Sequence, residues 1–247
     1  MTQSTSFLES TRVGVFVKTD SPQIVEILAL TGLDFVVLDA EHAPLGPETL
    51  DRMLFAGNAL GLPTLVRIPD HRDAGILSVL DMGATGIVVP HVDTPEQARN
   101  VVAAARFIGG RRGISLSARF GGYGTLGRAD AIASADRSLV VCQIESREAL
   151  DNVEAIAAVR GVAALLIGRS DLALSMGQDN ASGPVVMSAV QRIMAAAHAN
   201  GLPVVMVCAN VQEGRKFQSM GATSFVVGSD QSLLRNAASQ VFRDFSR

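Results

Sequence analysis

The chain has 247 residues, 48% of them hydrophobic and only 18% charged, with a formal net charge of −3. That much apolar side chain excludes a disordered or low-complexity protein, because its burial can offset the entropy of ordering the chain. The slightly acidic balance gives no general attraction for a phosphate backbone or an anionic membrane surface. Low charge also predicts a homo-oligomer, since a subunit interface would hide part of the apolar excess. No apolar run reaches the roughly 18 residues needed to span a bilayer, and the polar start MTQSTSFLES lacks a secretory pattern. A cytoplasmic location is expected. The only basic cluster, Arg111, Arg112, Arg119 and Arg128, sits in a glycine-rich stretch with Phe120 and Tyr123, a poor basis for binding nucleic acid. Cys142 and Cys208 share no metal-ligand spacing and lie in apolar runs, so both read as buried reduced thiols.

In chain order, strands are expected at 13–17, 35–39, 63–67, 86–90, 139–145, 163–168, 203–208 and 224–228. These runs are continuously aliphatic and β-branched, as in parallel strands covered on both faces. Helical periodicity fills 21–29, 49–60, 94–107, 147–159, 184–199 and 211–220. Ser21 before Pro22, and Thr94 before Pro95 with Gln97 following, are start signals. Eight strand–helix units in one chain predict an α/β fold of the (β/α)8 TIM-barrel kind, forming one domain over residues 1–247. A doubly wound open sheet is the alternative, but no GxGxxG follows the first strand. The longest interruption, 108–137, is rich in glycine and is expected to be a long loop.

Chemistry in such a barrel gathers at the C-terminal ends of the strands. Those ends read Lys18; Asp39, Glu41 and His42; Arg67; Pro90 and His91; Gln143 and Glu145; Ser170 and Asp171; Asn210; Ser229 and Asp230. Any one of these could be a solvated loop residue, yet polar groups at nearly every end are hard to explain without a site. Gln143 and Glu145 are two apart, so they point to the same side. Asp171 closes the next strand's run, and carboxylates on adjacent strands can converge on a hard divalent cation such as Mg²⁺ or Mn²⁺. The competing reading is a pair of carboxylates held by Arg147 or Arg169. Arg67 offers a planar, permanent charge suited to a carboxylate or an enolate oxygen. His42, beside Asp39 and Glu41, suits acid/base work.

At these residues the sequence resembles the HpcH/HpaI family of metal-dependent pyruvate aldolases. The matching text is Leu38-Asp39-Ala40-Glu41-His42-Ala43-Pro44, Val66-Arg67, Leu80-Asp81-Met82-Gly83-Ala84 and Val88-Val89-Pro90. It continues with Gly110-Arg111-Arg112-Gly113, Gln143-Ile144-Glu145-Ser146-Arg147-Glu148-Ala149 and Ile167-Gly168-Arg169-Ser170-Asp171-Leu172. The resemblance implies a lyase that cleaves a 4-hydroxy-2-oxo acid to pyruvate and an aldehyde through an enolate on a divalent metal (Mg²⁺, Mn²⁺ or Co²⁺). Glu145 and Asp171 would hold the metal, and Gln143 and the backbone around Ser170 the pyruvate. Arg67 would stabilise the enolate, His42 would move protons, and Asp81 would raise the basicity of that histidine. It also implies a hexamer (a trimer of dimers) whose C-terminal helix is exchanged between subunits. One departure is plain: Arg169-Ser170 stands where the family usually has Pro-Ala.

The rival aldolase chemistry needs a desolvated lysine for a Schiff base. Only Lys18 and Lys216 occur; Lys216 falls mid-helix, whereas Lys18 ends a strand. Decarboxylation of oxaloacetate through the same enolate remains an alternative activity. A phosphate-binding barrel, suggested by Gly228-Ser229, is a second. Arg119 and Arg128 are candidates for holding an acidic aldehyde.

Overall fold

The structure, a computed structural model, describes residues 5–246. Eight parallel strands close into a barrel in chain order. They are β1 (Arg12–Val17), β2 (Phe35–Asp39), β3 (Thr64–Arg67), β4 (Gly86–Val89), β5 (Leu139–Ile144), β6 (Ala164–Ile167), β7 (Val204–Cys208) and β8 (Ser224–Ser229). All eight expected strands are present, each with its ends within one residue of the expected position. The helices are α1 (Pro22–Ala29), α2 (Pro47–Leu60), α3 (Asp73–Asp81), α4 (Pro95–Ala105), α5 (Arg128–Ala135), α6 (Arg147–Asp151), α7 (Val153–Ala157), α8 (Arg169–Ser175), α9 (Pro184–Ala199), α10 (Val211–Ser219) and α11 (Asp230–Phe245).

Local chemistry explains several boundaries. Thr94 and Gln97 form a reciprocal capping box at the start of α4. Ser21 precedes α1 but spends its hydroxyl on Gln23 rather than on the helix backbone. The single helix expected over 147–159 is broken at Asn152, where the backbone turns aside and the side-chain amide donates to the Asp93 carbonyl at 2.9 Å. The long loop expected over 108–137 contains α5 and a 3₁₀ stretch, Arg119–Gly124. Its anchor is Arg112, which lies over the rings of Phe107 and Phe120 at 4.5 and 4.9 Å and pairs with Asp81 at 2.7 Å.

The period-two alternation of strands divides the apolar residues into two clusters. Val36, Leu38, Val66, Ile87, Val89, Val140, Cys142 and Ile144 pack outward under the helices. Phe16, Phe35, Val37, Leu65, Val88, Leu139, Val141, Ala164 and Leu166 fill the barrel, and Leu8 joins them with Phe7 packed alongside. Phe7 meets Phe35 edge-on, so the N-terminal segment plugs the end where the strands begin. The other end is left for polar groups. Among the described residues, no helix is long and apolar enough to cross a membrane.

Candidate active site

The inward register of each strand, carried on to its C-terminal end, places the site. Phe35 and Val37 face the interior, so Asp39 does; Leu65 does, so Arg67 does; Leu139 and Val141 do, so Gln143 and Glu145 follow. Asp39 and Arg67 are register partners on β2 and β3. Arg67 donates to both oxygens of Asp39, through Nε at 3.0 Å and Nη2 at 2.7 Å. Its plane lies over the Phe16 ring at 4.5 Å, and Nε is 3.3 Å from Glu41. Lys18 brings its ammonium to 3.1 Å from Asp39, and the backbone N–H of His42 donates to the same carboxylate. Burial alone would raise the Asp39 carboxyl, but the hydrogen bonds and charge of Arg67, with His42 N–H and Lys18, hold it below its ordinary range. Lys18, the one lysine at a strand end, is thus engaged with Asp39.

Across the mouth, Glu145 and Gln143 are both buried. The Gln143 amide donates to Glu145 Oε2, while Gln143 Oε1 is buried with no hydrogen-bond partner. Gly168 makes this possible. A Cβ there would sit 2.9 Å from Glu145 Cβ and 3.0 Å from its Oε2, so any larger residue would push the carboxylate aside. Glu145 Oε1 accepts from the backbone N–H of His91 at 2.7 Å. The His91 ring stands between two carboxylates, Nδ1 at 3.3 Å from Glu145 and Nε2 at 3.3 Å from Glu41. Glu41, His91 and Glu145 therefore offer ligand atoms within 4.8 Å of one another. Burial pushes the Glu41 carboxyl above its ordinary range, and Glu145 adds to this, against the weaker pull of Arg67, His42 and His91. The Glu41 Oε2 atom is buried without a hydrogen-bond partner.

The structure brings some of the expected residues together and separates others. Arg67, Gln143, Glu145 and His42 surround one mouth, with Glu41 Oε2 3.7 Å from His42 Nε2. Of the two acidic neighbours expected for His42, only Glu41 faces its ring; Asp39 takes its backbone N–H. Ser170 and Asp171 stand exposed in the first turn of α8, and Asp171 makes no ion pair or side-chain hydrogen bond among the described residues. Asp81 closes α3, before β4, and is held by Arg112 at the opposite end of the barrel from His42. Arg169 does not hold Glu145. It lies over Phe217 at 4.8 Å and pairs with Glu213 at 2.6 Å, turned toward α10. Arg119 likewise points away from the mouth, bonded to Asp51 and the Met82 carbonyl, so within one subunit it holds no aldehyde. Both cysteines are free and buried, and burial pushes the Cys142 thiol up to about 12.

That Glu41 and His91 meet Glu145 was not evident from spacing. For His91 a signal exists in the backbone: it is a non-glycine residue at φ +53 immediately after β4, a conformation that often marks a functional position.

The family model HpcH/HpaI aldolase/citrate lyase matches residues 12–237. The chain belongs to this family. It is 37% identical over 239 residues to a 5-keto-4-deoxy-D-glucarate aldolase of Klebsiella pneumoniae, covering 96% of this chain and 93% of that one. A crystal structure of an HpcH/HpaI aldolase/citrate lyase family protein from Burkholderia cenocepacia superposes with a TM-score of 0.93 at 29% identity, over 98% of both chains. Macrophomate synthase superposes at 0.81 with 26% identity, over 95% of this chain and 85% of that one. This member of the family is an aldolase-type carbon–carbon lyase, as the resemblance in its motifs implied.

Proposed function

We propose that the barrel mouth cleaves a sugar-derived 4-hydroxy-2-oxo acid to pyruvate and an aldehyde, with a divalent cation at Glu145. The observation that carries this reading is the convergence of a buried, fixed guanidinium with a buried carboxylate–amide pair at one barrel mouth. The name of the Klebsiella relative, a keto-deoxy sugar-acid aldolase, supports the substrate class.

The donor set fits a hard cation: it is rich in carboxylates, the acceptor Gln143 Oε1 is buried and unused, and Glu41 Oε2 is buried with no hydrogen bond, 3.3 Å from Arg67 Nε. Glu145 with Asp171 would hold the ion. When bound, a divalent cation polarises the ketone of a 2-oxo acid and makes the adjacent methyl protons removable. Arg67 places a permanent charge where the ketone oxygen becomes an enolate, and Asp39 and Phe16 keep it from moving toward solvent. The Gln143 amide and the backbone at Ser170 would orient the substrate carboxylate. His42 takes the proton of the 4-hydroxyl as the C3–C4 bond breaks and the aldehyde leaves. Return of that proton from His42 to C3 of the enolate then yields pyruvate.

Pyruvate incubated in D₂O with the protein and Mg²⁺ or Mn²⁺ is expected to gain deuterium at its methyl group, read by mass spectrometry after quenching. Glu145→Gln and EDTA should each abolish the gain. No deuterium with any metal would overturn the proposal.

The same reading includes a homo-oligomer built by exchange of α11. The helix carries an exposed apolar stripe of Leu234, Val241, Phe242 and Phe245, and its main contacts with its own barrel are to β1 and β8. Asp230 at its start fixes it there by accepting from the N–H groups of Lys18 and Thr19. Elsewhere on the surface Leu30, Phe55 and Leu60 line an apolar groove of about 700 Å³. Leu234→Asp with Phe242→Asp is expected to yield a smaller assembly by sedimentation while the circular dichroism spectrum stays unchanged. An unaltered sedimentation coefficient would count against exchange.

A further inference from the structure

Of the groups at the mouth, the His91 imidazole has no part in the reaction as derived above, yet its placement is constrained three times over. Its backbone adopts φ +53, which costs a non-glycine residue energy and persists only where the surroundings enforce it. Its N–H is bonded to Glu145 Oε1 at 2.7 Å, fixing the residue against that carboxylate. Its ring is then held between Glu145, 3.3 Å from Nδ1, and Glu41, 3.3 Å from Nε2. The side chain keeps 62% of its surface exposed, yet a histidine there only for solvation needs none of these. The arrangement is the one imidazole ligands of metals adopt, one nitrogen toward the ion and the other N–H toward a carboxylate that fixes the tautomer. Beside it, Gln143 Oε1 is buried with no partner, as expected of an acceptor kept for something that is not protein.

We infer that His91 supplies a nitrogen ligand to the cation held at Glu145, with Glu41 orienting its ring. The inference rests on the divalent-cation reading of this mouth. Its consequence is selectivity. An all-oxygen site suits Mg²⁺, whereas an imidazole adds affinity for borderline ions such as Co²⁺ and little for Mg²⁺. This site should therefore discriminate in favour of Co²⁺ through one residue.

The test is titration calorimetry on the metal-stripped full chain with MgCl₂ and CoCl₂ separately, together with the visible spectrum of the Co²⁺ complex. His91→Gly suits the left-handed backbone and should fold at least as well as the parent. His91→Asn tolerates the same φ and replaces nitrogen by an amide oxygen. Both variants are expected to lose about ten-fold or more in Co²⁺ affinity, to change Mg²⁺ affinity by less than about three-fold, and to shift the Co²⁺ absorption bands. Restoration of the parent spectrum in His91→Gly by added imidazole would be a further positive result. Unchanged Co²⁺ affinity and spectrum in both variants would overturn the ligand assignment alone. Failure of the parent protein to bind either ion would overturn the cation reading and the inference with it.

Discussion

Replacing Arg67 by lysine is expected to lower kcat by about 10²- to 10³-fold, the size of effect seen when one fixed donor is removed from a developing oxyanion. The prediction follows from how the guanidinium is used. Nε and Nη2 are committed to the two oxygens of Asp39, and the ring of Phe16 lies beneath the plane. Nη1 has no hydrogen-bond partner among the described residues, which leaves one donor edge for substrate. A lysine can answer the charge of Asp39, but it cannot hold Asp39 and present a second fixed donor at once. It would also place a second ammonium beside Lys18, which already pairs with the same carboxylate. The diagnostic is the split between kcat and KM. If the interaction forms only as charge gathers on the ketone oxygen, kcat and kcat/KM should fall together. A rise in KM at unchanged kcat would mean that Arg67 binds the substrate carboxylate equally in ground and transition states.

The barrel was legible because its strands are short, continuously apolar and separated by helical periods; no distant contact is needed to recognise them. Gln143, Glu145 and Arg67 were legible for a related reason: Gln143 and Arg67 each extend an inward-facing series by two residues beyond an apolar position, and Glu145 follows Gln143 by two more. The rest depended on closure of the barrel. Glu41 follows β2, His91 follows β4 and Glu145 follows β5, so their meeting is a property of the mouth and of no local spacing. Asp81 shows the reverse. Its motif gives no direction in space, whereas its position at the end of α3 and its bond to Arg112 put it at the closed end. Arg169 reads as a partner for the site carboxylates and Arg119 as a holder of an acidic aldehyde, but aromatic faces and carboxylates elsewhere take them: Phe217 and Glu213 for one, Phe55 and Asp51 for the other. Helix α8 escapes a reading by periodicity because it is only 7 residues long, too short for the period to emerge.

The largest effect on stability is expected at Asp39, where Asp39→Asn should cost about 3–5 kcal/mol at neutral pH, the usual penalty for leaving a buried partner charge unanswered. Arg67 is buried, so without the carboxylate its charge has only Glu41 within reach. The neutral amide of the variant would offer a single acceptor oxygen where Asp39 accepts two hydrogen bonds from Arg67 and one from His42 N–H. The effect has a pH signature. Asp39 has a folded pKa below the ordinary carboxylate value of 3.8, so it contributes stability above that value and loses it as pH falls toward the folded pKa. Glu41 runs the other way: its folded pKa is raised, so its contribution is present below the ordinary value of 4.5 and is lost as pH rises through the folded value. In the variant Glu41 becomes the carboxylate left to Arg67, so the comparison is made with Glu41→Gln in both proteins, and the remaining difference reports Asp39. Urea midpoints of the parent and Asp39→Asn should therefore be far apart at neutral pH and draw together below about pH 4. A gap that stayed constant over that range would show that the carboxylate charge is not what holds Arg67. The stabilisation would then have to come from shape and neutral hydrogen bonding, and the same result would weaken the case that Arg67 is a fixed charge aimed at the enolate.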